Sequence, residues 1–205
     1  MIGIIDYNAG NITSVERALK SLNIDFILSK NPGDLKNCEK LIFPGVGDAA
    51  YAMQELKKSG FDTFIREKTA AKIPLLGICL GSQIIFDKSE EGDTPCLGLI
   101  PGSIKHFYSI DDTLQTQIKV PHMGWNNLTK YGDCPILKDL PDNADFYFVH
   151  SYVICPEDKN VIKATADYGI KVPAVIQSGN IFACQFHPEK SGQAGLKILQ
   201  NYCEL

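Results

Sequence analysis

Cys79 stands between two glycines at the end of an apolar run, in the segment Ile73–Gln83. A thiolate is a strong nucleophile, and a nucleophile at a sharp strand-to-helix turn has a strained backbone with little room for neighbouring side chains. Gly77 and Gly81 suit such a turn because glycine has no Cβ. The N-terminus of the following helix would stabilise a thiolate, and its N–H groups could bind an oxyanion. Cys79 is a candidate nucleophile; the alternative is a buried structural cysteine.

His187 and Glu189 supply the other two groups that a cysteine nucleophile needs. His187 follows the apolar segment Ile181–Phe186, so it should lie at the end of a strand. A base must take the thiol proton, and a third group must orient the base. Cys79, His187 and Glu189 provide these three types. A His-x-Glu pair by itself is more often structural, for example a surface histidine beside a glutamate at the start of a helix.

Metal and nucleotide chemistry have little support. Zinc deaminases use His-x-Glu followed by Pro-Cys-x-x-Cys, but only Cys203 follows here. The remaining histidines, at positions 106, 122 and 150, lack the helical spacing of metal ligands. The chain also has no Gly-x-x-x-x-Gly-Lys phosphate loop and no Gly-x-Gly-x-x-Gly after a strand. We therefore expect neither a metal nor a cofactor.

The segment Pro44–Gly47 follows a predicted strand, Leu41–Phe43. In an open parallel sheet, ligands bind beyond the carboxyl ends of the strands, so this segment should lie near Cys79. Its two glycines leave backbone N–H groups uncovered, which suits an anion or an oxyanion. The alternative is an ordinary strand–helix turn.

Strand and helix signals alternate in the first half of the chain, which predicts a parallel sheet with right-handed crossovers. The predicted strands there are Ile2–Ile5, Ile24–Leu28, Leu41–Phe43 and the one ending in Cys79, and the predicted helices are 13–22, Asp48–Lys58, Phe61–Lys72 and one from Cys79 to about Asp87. After Ser89, shorter segments separated by turn residues predict an antiparallel or mixed sheet beside the parallel core, followed by a C-terminal helix. These segments are Ile104–Phe107, Leu114–Lys119, Asp145–Tyr152, Val161–Asp167, Val172–Gln177 and Ile181–Phe186.

Length and composition indicate one domain, 1–205, with a substantial core. The net charge of −4 gives no reason to expect a nucleic acid or an anionic membrane as partner. Met1–Asp6 has no basic region and is expected to be a strand, not a signal peptide. Seven cysteines, without a Cys-x-x-Cys pair, favour a reducing cytoplasm over a disulfide framework.

The Cys79 and His187 motifs together resemble those of the class I (triad) glutamine amidotransferases. The chain is most similar to the branch that forms the glutaminase subunit of imidazole glycerol phosphate synthase, and the resemblance covers essentially all of it. The segments that carry it are Asp6–Asn11, Pro44–Gly47, Gly77–Gln83, Val120–Asn126, Tyr147–Tyr152 and Phe186–Ser191. The resemblance implies a flavodoxin-like, three-layer α/β/α fold with a mostly parallel central sheet.

The resemblance also implies a role for each matching residue. Cys79 would attack the side-chain amide of glutamine, His187 would transfer the proton, and Glu189 would orient His187. The backbone N–H of Leu80 would be one oxyanion donor, and that of Val46 or Gly47 the other, after the loop reorients. The amino-acid end of glutamine would be held by Gln83, His150 and Ser151.

Family members dock onto a (β/α)8-barrel cyclase subunit and pass ammonia through the barrel, which makes imidazole glycerol phosphate and AICAR in histidine biosynthesis. The positions that match this interface are Asn11, Trp125, Tyr147 and Lys190. An exposed tryptophan is a typical interface anchor, although a single tryptophan is more often part of a core.

Two departures from the family pattern leave the pathway open, and two further alternatives concern the activity itself. Ser82 replaces a bulkier apolar residue and Asn8 a smaller one. A paralogue that supplies ammonia for amidino-sugar synthesis in surface polysaccharides is one alternative. Another is a cysteine hydrolase or glyoxalase-like enzyme of similar fold. A third is a regulatory subunit whose triad is inert.

Overall fold

The computed structural model describes residues 1–205, in which fourteen strands and seven α-helices alternate with short 3₁₀ turns. The strands are β1 (Ile2–Ile5), β2 (Phe26–Ser29), β3 (Lys40–Gly45), β4 (Leu75–Cys79), β5 (Lys88–Ser89), β6 (Thr94–Pro95), β7 (Gly102–His106), β8 (His122–Asn127), β9 (Thr129–Lys130), β10 (Asp145–His150), β11 (Tyr152–Pro156), β12 (Ile162–Tyr168), β13 (Ile170–Ser178) and β14 (Ile181–Cys184). The helices are α1 (Ile12–Ser21), α2 (Ala49–Ser59), α3 (Phe61–Ala70), α4 (Leu80–Gln83), α5 (Phe107–Ile110), α6 (Leu114–Gln117) and α7 (Gly192–Cys203). No helix has the length and hydrophobicity that a membrane span requires.

An eight-stranded sheet forms the centre of the fold, in the order β2-β1-β3-β4-β14-β13-β12-β9. The five strands from β2 to β14 run parallel, and the three beyond β14 are antiparallel to their neighbours. This confirms the predicted parallel sheet with a mixed portion from the second half of the chain. Two smaller sheets, β10-β8 and β11-β7-β5-β6, adjoin it.

Helices cover both faces of the central sheet. Successive residues of a strand point to opposite faces, so Ile4 and Ile5 of β1 belong to different apolar cores. One core holds side chains of α2 and α3, and the other holds side chains of α1 and α7. The outcome is the predicted three-layer α/β/α arrangement.

The parallel register brings the carboxyl ends of β3, β4 and β14 to one edge of the sheet. Gly45 pairs with Cys79, and Ile78 pairs with Cys184. The loops that continue these strands therefore start side by side, and they carry the candidate oxyanion loop, the candidate nucleophile and His187.

Two sequence predictions about individual elements were wrong. The segment Leu114–Lys119 is not a strand, because Leu114–Gln117 forms the short helix α6 with Leu114 as its buried anchor. The helix expected from Cys79 to Asp87 ends at Gln83. The chain turns after Gln83, and Ile84, Ile85 and Phe86 are fully buried beyond the end of the helix.

Candidate active site

Cys79 has the strained backbone that its flanking glycines predicted. It is the last residue of β4 and has φ 55° and ψ −113°, outside the regions that non-glycine residues normally adopt. A Cβ on Gly81 would lie 2.0 Å from the carbonyl oxygen of Phe43, and one on Gly77 would lie 2.7 Å from that of Gly81. Neither position has room for a side chain, so the tight turn requires both glycines.

A hydrogen bond within the turn holds the Cys79 peptide. The Ser82 hydroxyl donates to the carbonyl oxygen of Cys79 at 2.5 Å, and Ser82 is fully buried. Ser82, which differs from the family pattern, therefore forms a hydrogen bond with the backbone of the candidate nucleophile. Because α4 has only four residues, the N–H groups of its first turn matter here more than a helix dipole does.

His187 joins Cys79 to Glu189. Its Nδ1 lies 2.7 Å from Oε1 of Glu189, and both side chains are buried. Nδ1–H donates to the carboxylate, which leaves Nε2 for the Cys79 thiol. Burial by itself lowers the pKa of His187, but hydrogen bonds and charge interactions with Cys79 and Glu189 outweigh burial and raise it to about 9.

A cleft of about 360 Å³ opens over Cys79, in the size range of small-molecule sites. It brings together most of the residues predicted from sequence, whereas Glu189 lies behind His187. The lining residues are Val46, Gly47, Cys79, Leu80, Gln83, Glu91, Pro121, Val149, His150, Ser151, Tyr152, His187 and Lys190. The sulfur of Cys79 lies 3.9 Å from the carbonyl oxygen of Val149.

The two candidate oxyanion donors differ in their present state. Leu80 is the first residue of α4, so its N–H has no acceptor within the helix. The N–H of Val46 instead donates to the carbonyl oxygen of Ala9 at 2.9 Å. Gly47 follows with φ 94°, and a Cβ there would meet no atom within 4 Å. The N–H of Val46 is therefore occupied in this structure. It could bind an oxyanion only after the loop reorients and this hydrogen bond breaks.

Gln83 reaches the cleft from α4. Its side-chain N–H₂ donates to Oε1 of Gln185 at 2.8 Å and to the carbonyl oxygen of Tyr152 at 3.2 Å. Both donors are used, so its side-chain oxygen is the group left for a ligand. Ser151 borders the same part of the cleft.

Glu91 also lines the cleft, although the polar residues around it in the sequence predicted only a loop without a role. Its Oε2 accepts the N–H of Ala49 at 2.8 Å, and burial raises the pKa of its carboxyl. A half-buried acid beside Gln83 is a suitable acceptor for an ammonium group. Glu91 lies just after β5, and no sequence motif marks it as a binding residue.

Two histidines that looked scattered in the sequence form a buried pair. Nδ1 of His122 lies 3.0 Å from Nε2 of His150, and Nδ1 of His150 lies 2.7 Å from the carbonyl oxygen of Tyr152. His150 therefore donates from Nδ1 and accepts from His122. Burial lowers the pKa of His122 to about 4 and that of His150 to about 3, so both rings are neutral. His150 faces the cleft, but its ring nitrogens are taken by these partners.

The residues predicted at a partner interface lie on a neighbouring surface. Trp125 is 59% exposed and packs edge-on against Tyr147, with 5.9 Å between ring centroids. The carbonyl of Tyr147 accepts the N–H of His187 at 2.9 Å, which links this surface to the candidate base. Lys190 is exposed at the edge of the cleft, and Asn11 is half-buried beside α1.

Three buried polar atoms have no hydrogen-bond partner among the protein's atoms: the Tyr7 hydroxyl, Nε2 of Gln185 and Oε2 of Glu189. None of the three lines the cleft itself, but Gln185 is bonded to Gln83 and Glu189 to His187, and both of those partners do. Unsatisfied buried groups are rare and often mark functional sites.

A family model described as glutamine amidotransferase class-I matches residues 3–204, and the chain belongs to this family of enzymes. Solved structures agree on the flavodoxin-like fold. A glutamine amidotransferase has a TM-score of 0.75 at 19% identity and covers 100% of this chain and 99% of its own. PurLQS from Thermotoga maritima has a TM-score of 0.71 at 16% identity, with coverages of 99% and 97%.

Within this class, the chain is a member of the family of imidazole glycerol phosphate synthase subunit HisH. The relative of that name from Geobacillus sp. is 46% identical over an alignment of 206 residues, which covers 100% of this chain and 97% of the relative. Subunit HisH 1 from Methanococcus maripaludis is 41% identical over 209 residues, which cover 100% of both chains.

Proposed function

We propose that Cys79, His187 and Glu189 hydrolyse the side-chain amide of glutamine and that the ammonia serves imidazole glycerol phosphate synthesis in histidine biosynthesis. The observation that carries this proposal is that the Cys79 thiol and the His187 ring line one cleft, while Nδ1 of His187 lies 2.7 Å from the Glu189 carboxylate behind it. The relatives named above support the pathway.

The reaction proceeds in two halves. The Cys79 thiolate attacks the amide carbon, and the resulting tetrahedral intermediate collapses as the C–N bond breaks and His187 gives its proton to the leaving ammonia. His187 then takes a proton from water, which attacks the γ-glutamyl thioester. The C–S bond breaks and the proton returns to the sulfur, so glutamine and water yield glutamate and ammonia. Glu189 holds His187 in the tautomer that presents Nε2 throughout.

The oxyanion forms beside the N–H of Leu80. We propose Val46 as the second donor, since it lines the cleft and is next to two glycines that permit its peptide to rotate. Gly47 is the other candidate. One oxyanion donor contributes about 10²–10³ to kcat, so an occupied Val46 amide would hold the enzyme at low activity.

The amino-acid end of glutamine fits the far side of the cleft. We propose that the Glu91 carboxylate and the side-chain oxygen of Gln83 accept hydrogen bonds from the α-ammonium group, and that the backbone around His150 and Ser151 donates to the α-carboxylate. The negative charge of Glu91 would discriminate against substrates that lack the ammonium group.

We propose that a cyclase subunit with a (β/α)8 barrel docks on the surface formed by Trp125, Tyr147, Lys190 and Asn11. Exposed aromatic rings are typical interface anchors, and a lysine at the rim can pair with a partner carboxylate. The bond from His187 N–H to the Tyr147 carbonyl gives docking a direct route to the active site. The closed complex would keep ammonia from reaching solvent as ammonium.

The cytoplasm is the compartment that we propose, since all seven cysteines are free. Reducing compartments keep protein thiols unpaired.

The test measures glutamate release from glutamine by the chain with its cyclase partner. We expect turnover of glutamine and little turnover of asparagine, whose shorter side chain cannot place its amide carbon at Cys79 while Glu91 binds the ammonium group. No glutamate release, together with consumption of an α-oxoaldehyde or a peptide, would contradict the proposal and favour a glyoxalase-like or hydrolase activity. Ammonia transfer to an amidino-sugar precursor instead of the cyclase substrate would favour the paralogous pathway.

A further inference from the structure

Tyr7 lies in the loop after β1, at the same edge of the sheet as the candidate oxyanion loop. Its side chain is 1% exposed, and its ring packs against Phe43 with 5.3 Å between centroids. Its hydroxyl is buried and has no hydrogen-bond partner. Burial raises the pKa of Tyr7, so the hydroxyl keeps its proton and remains a donor. A buried donor without an acceptor costs free energy in this state of the protein. Its presence is explained if the hydroxyl finds an acceptor in another state.

The Tyr7 hydroxyl contacts the residue at the base of the oxyanion loop. A Cβ built on Gly45 would lie 2.7 Å from the Tyr7 hydroxyl oxygen and 2.6 Å from the N of Gly81. Gly45 therefore fits tightly between Tyr7 and the nucleophile turn. Because Gly45 has no side chain, the hydroxyl can come this close to the backbone of the loop.

That peptide is the one whose rotation would free the Val46 amide. The N–H of Val46 and the carbonyl of Gly45 belong to one planar unit and point in opposite directions. A rotation that turns the N–H from Ala9 toward Cys79 must also turn the Gly45 carbonyl toward Ala9. The Ala9 oxygen would then lose the N–H of Val46, and the Gly45 oxygen, turned toward the Ala9 oxygen, would need a donor of its own.

We propose that the Tyr7 hydroxyl is that donor, and that Tyr7 is a positioning residue which stabilises the oxyanion loop in its active orientation by binding the Gly45 carbonyl. This inference rests on the proposed function, because it takes Val46 as the second oxyanion donor. Tyr7 does not line the cleft, so it acts through the loop and not on glutamine. The hydroxyl that is unsatisfied in the resting state becomes satisfied in the active state, which lowers the free-energy difference between the two.

Tyr7→Phe tests the inference, since it removes the hydroxyl and keeps the ring. For the complex with the cyclase partner we expect kcat for glutamate release to fall about tenfold at an unchanged KM, which corresponds to one hydrogen bond of about 1.4 kcal/mol. The isolated variant should unfold at a temperature no lower than that of the wild type, because its resting state loses only an unpaired group.

Tyr202→Phe is the matched control. Its hydroxyl is also fully buried but already donates to the Leu41 carbonyl oxygen at 2.7 Å, far from the cleft. This variant should unfold at a lower temperature and keep its kcat. The inference is overturned if Tyr7→Phe keeps the wild-type kcat, raises KM alone, or lowers the unfolding temperature as Tyr202→Phe does. Failure of the wild-type complex to release glutamate would overturn the proposed function itself, and with it this inference. A loss of activity in Tyr7→Phe alone would leave the proposed function standing.

Discussion

The N–H of Val46 donates to the carbonyl oxygen of Ala9 at 2.9 Å. This bond joins the loop after β1 to the loop after β3 and occupies the amide that we assign as the second oxyanion donor. Cys79 and His187 already line one cleft, and His187 is already bonded to Glu189. The proposed triad is therefore in place beside a proposed oxyanion hole that lacks one of its two donors.

The isolated chain should release glutamate about 10²–10³ times more slowly than the complex, since it lacks one oxyanion donor. The effect should appear in kcat, because the groups that bind the amino-acid end of glutamine are already in place. Steady-state rates with and without the cyclase partner measure it. Full activity of the purified chain alone would show that the Val46 amide is not limiting.

Partner activation should depend on Trp125. Trp125→Ala removes an exposed aromatic anchor and should reduce activation by weakening docking, which a titration of the partner would detect as a higher apparent Kd. Ile110→Ala is a suitable control, since Ile110 is also exposed but lies on α5. Equal activation of both variants would place the interface elsewhere.

The raised pKa of His187 predicts how stability depends on pH. Its folded pKa of about 9 lies above its ordinary value of 6.5, so the protonated ring stabilises the fold. This contribution is fully present below pH 6.5 and is lost as the pH rises through about 9. The free energy of unfolding should therefore fall between pH 6.5 and 9 more steeply in the wild type than in His187→Gln. Parallel pH profiles for the two proteins would contradict the assignment.

The pair formed by His122 and His150 predicts the opposite dependence at lower pH. Both folded pKa values, about 4 and about 3, lie below the ordinary value of 6.5, so the unfolded chain takes up protons first as the pH falls. Stability should decline from pH 6.5 toward pH 5, and His122→Gln should reduce the slope, because one titrating ring is removed. Urea unfolding at several pH values measures it; an unchanged slope would mean that the pair is not buried in its neutral form.

Ser82→Ala should loosen the nucleophile turn. The carbonyl of Cys79 would lose a buried hydrogen bond, so we expect a cost of about 1 kcal/mol, or about 2–4 °C in Tm, and a severalfold lower kcat. Ser59→Ala removes a hydroxyl that likewise bonds a carbonyl three residues earlier, but on α2, so it should leave kcat unchanged. A Ser82→Ala variant with wild-type kcat would reduce Ser82 to a structural role.

The sequence alone predicted those features in which the residue type determines the local backbone geometry. The two glycines around Cys79 predicted a strained turn, and the structure has one. The apolar segment before His187 predicted a strand end at the carboxyl edge, and β14 ends there. The alternation of strands and helices in the first half predicted a parallel sheet, because a crossover helix leaves few other topologies.

The sequence did not predict contacts between residues that are far apart in the chain. His122 and His150 pair because the register of β8 and β10 sets them opposite each other, and nothing local encodes that register. Glu91 looked like part of a solvated loop, and the Tyr7 hydroxyl gave no signal, since a side chain without a partner is visible only in three dimensions. The segment Leu114–Lys119 was predicted as a strand, but its two apolar residues, Leu114 and Ile118, are four positions apart, which suits the helix that is found, and both pack into one small core.

Glutamate release by a Cys79→Ala variant, with the cyclase partner present, tests the central claim most directly. Cys203→Ala, which changes a half-buried cysteine on α7, is the control. We predict that Cys79→Ala lowers the rate by about 10³-fold or more, as loss of a triad nucleophile does, while Cys203→Ala retains wild-type turnover. Glutamate release at the wild-type rate by Cys79→Ala would show that Cys79 is not the nucleophile.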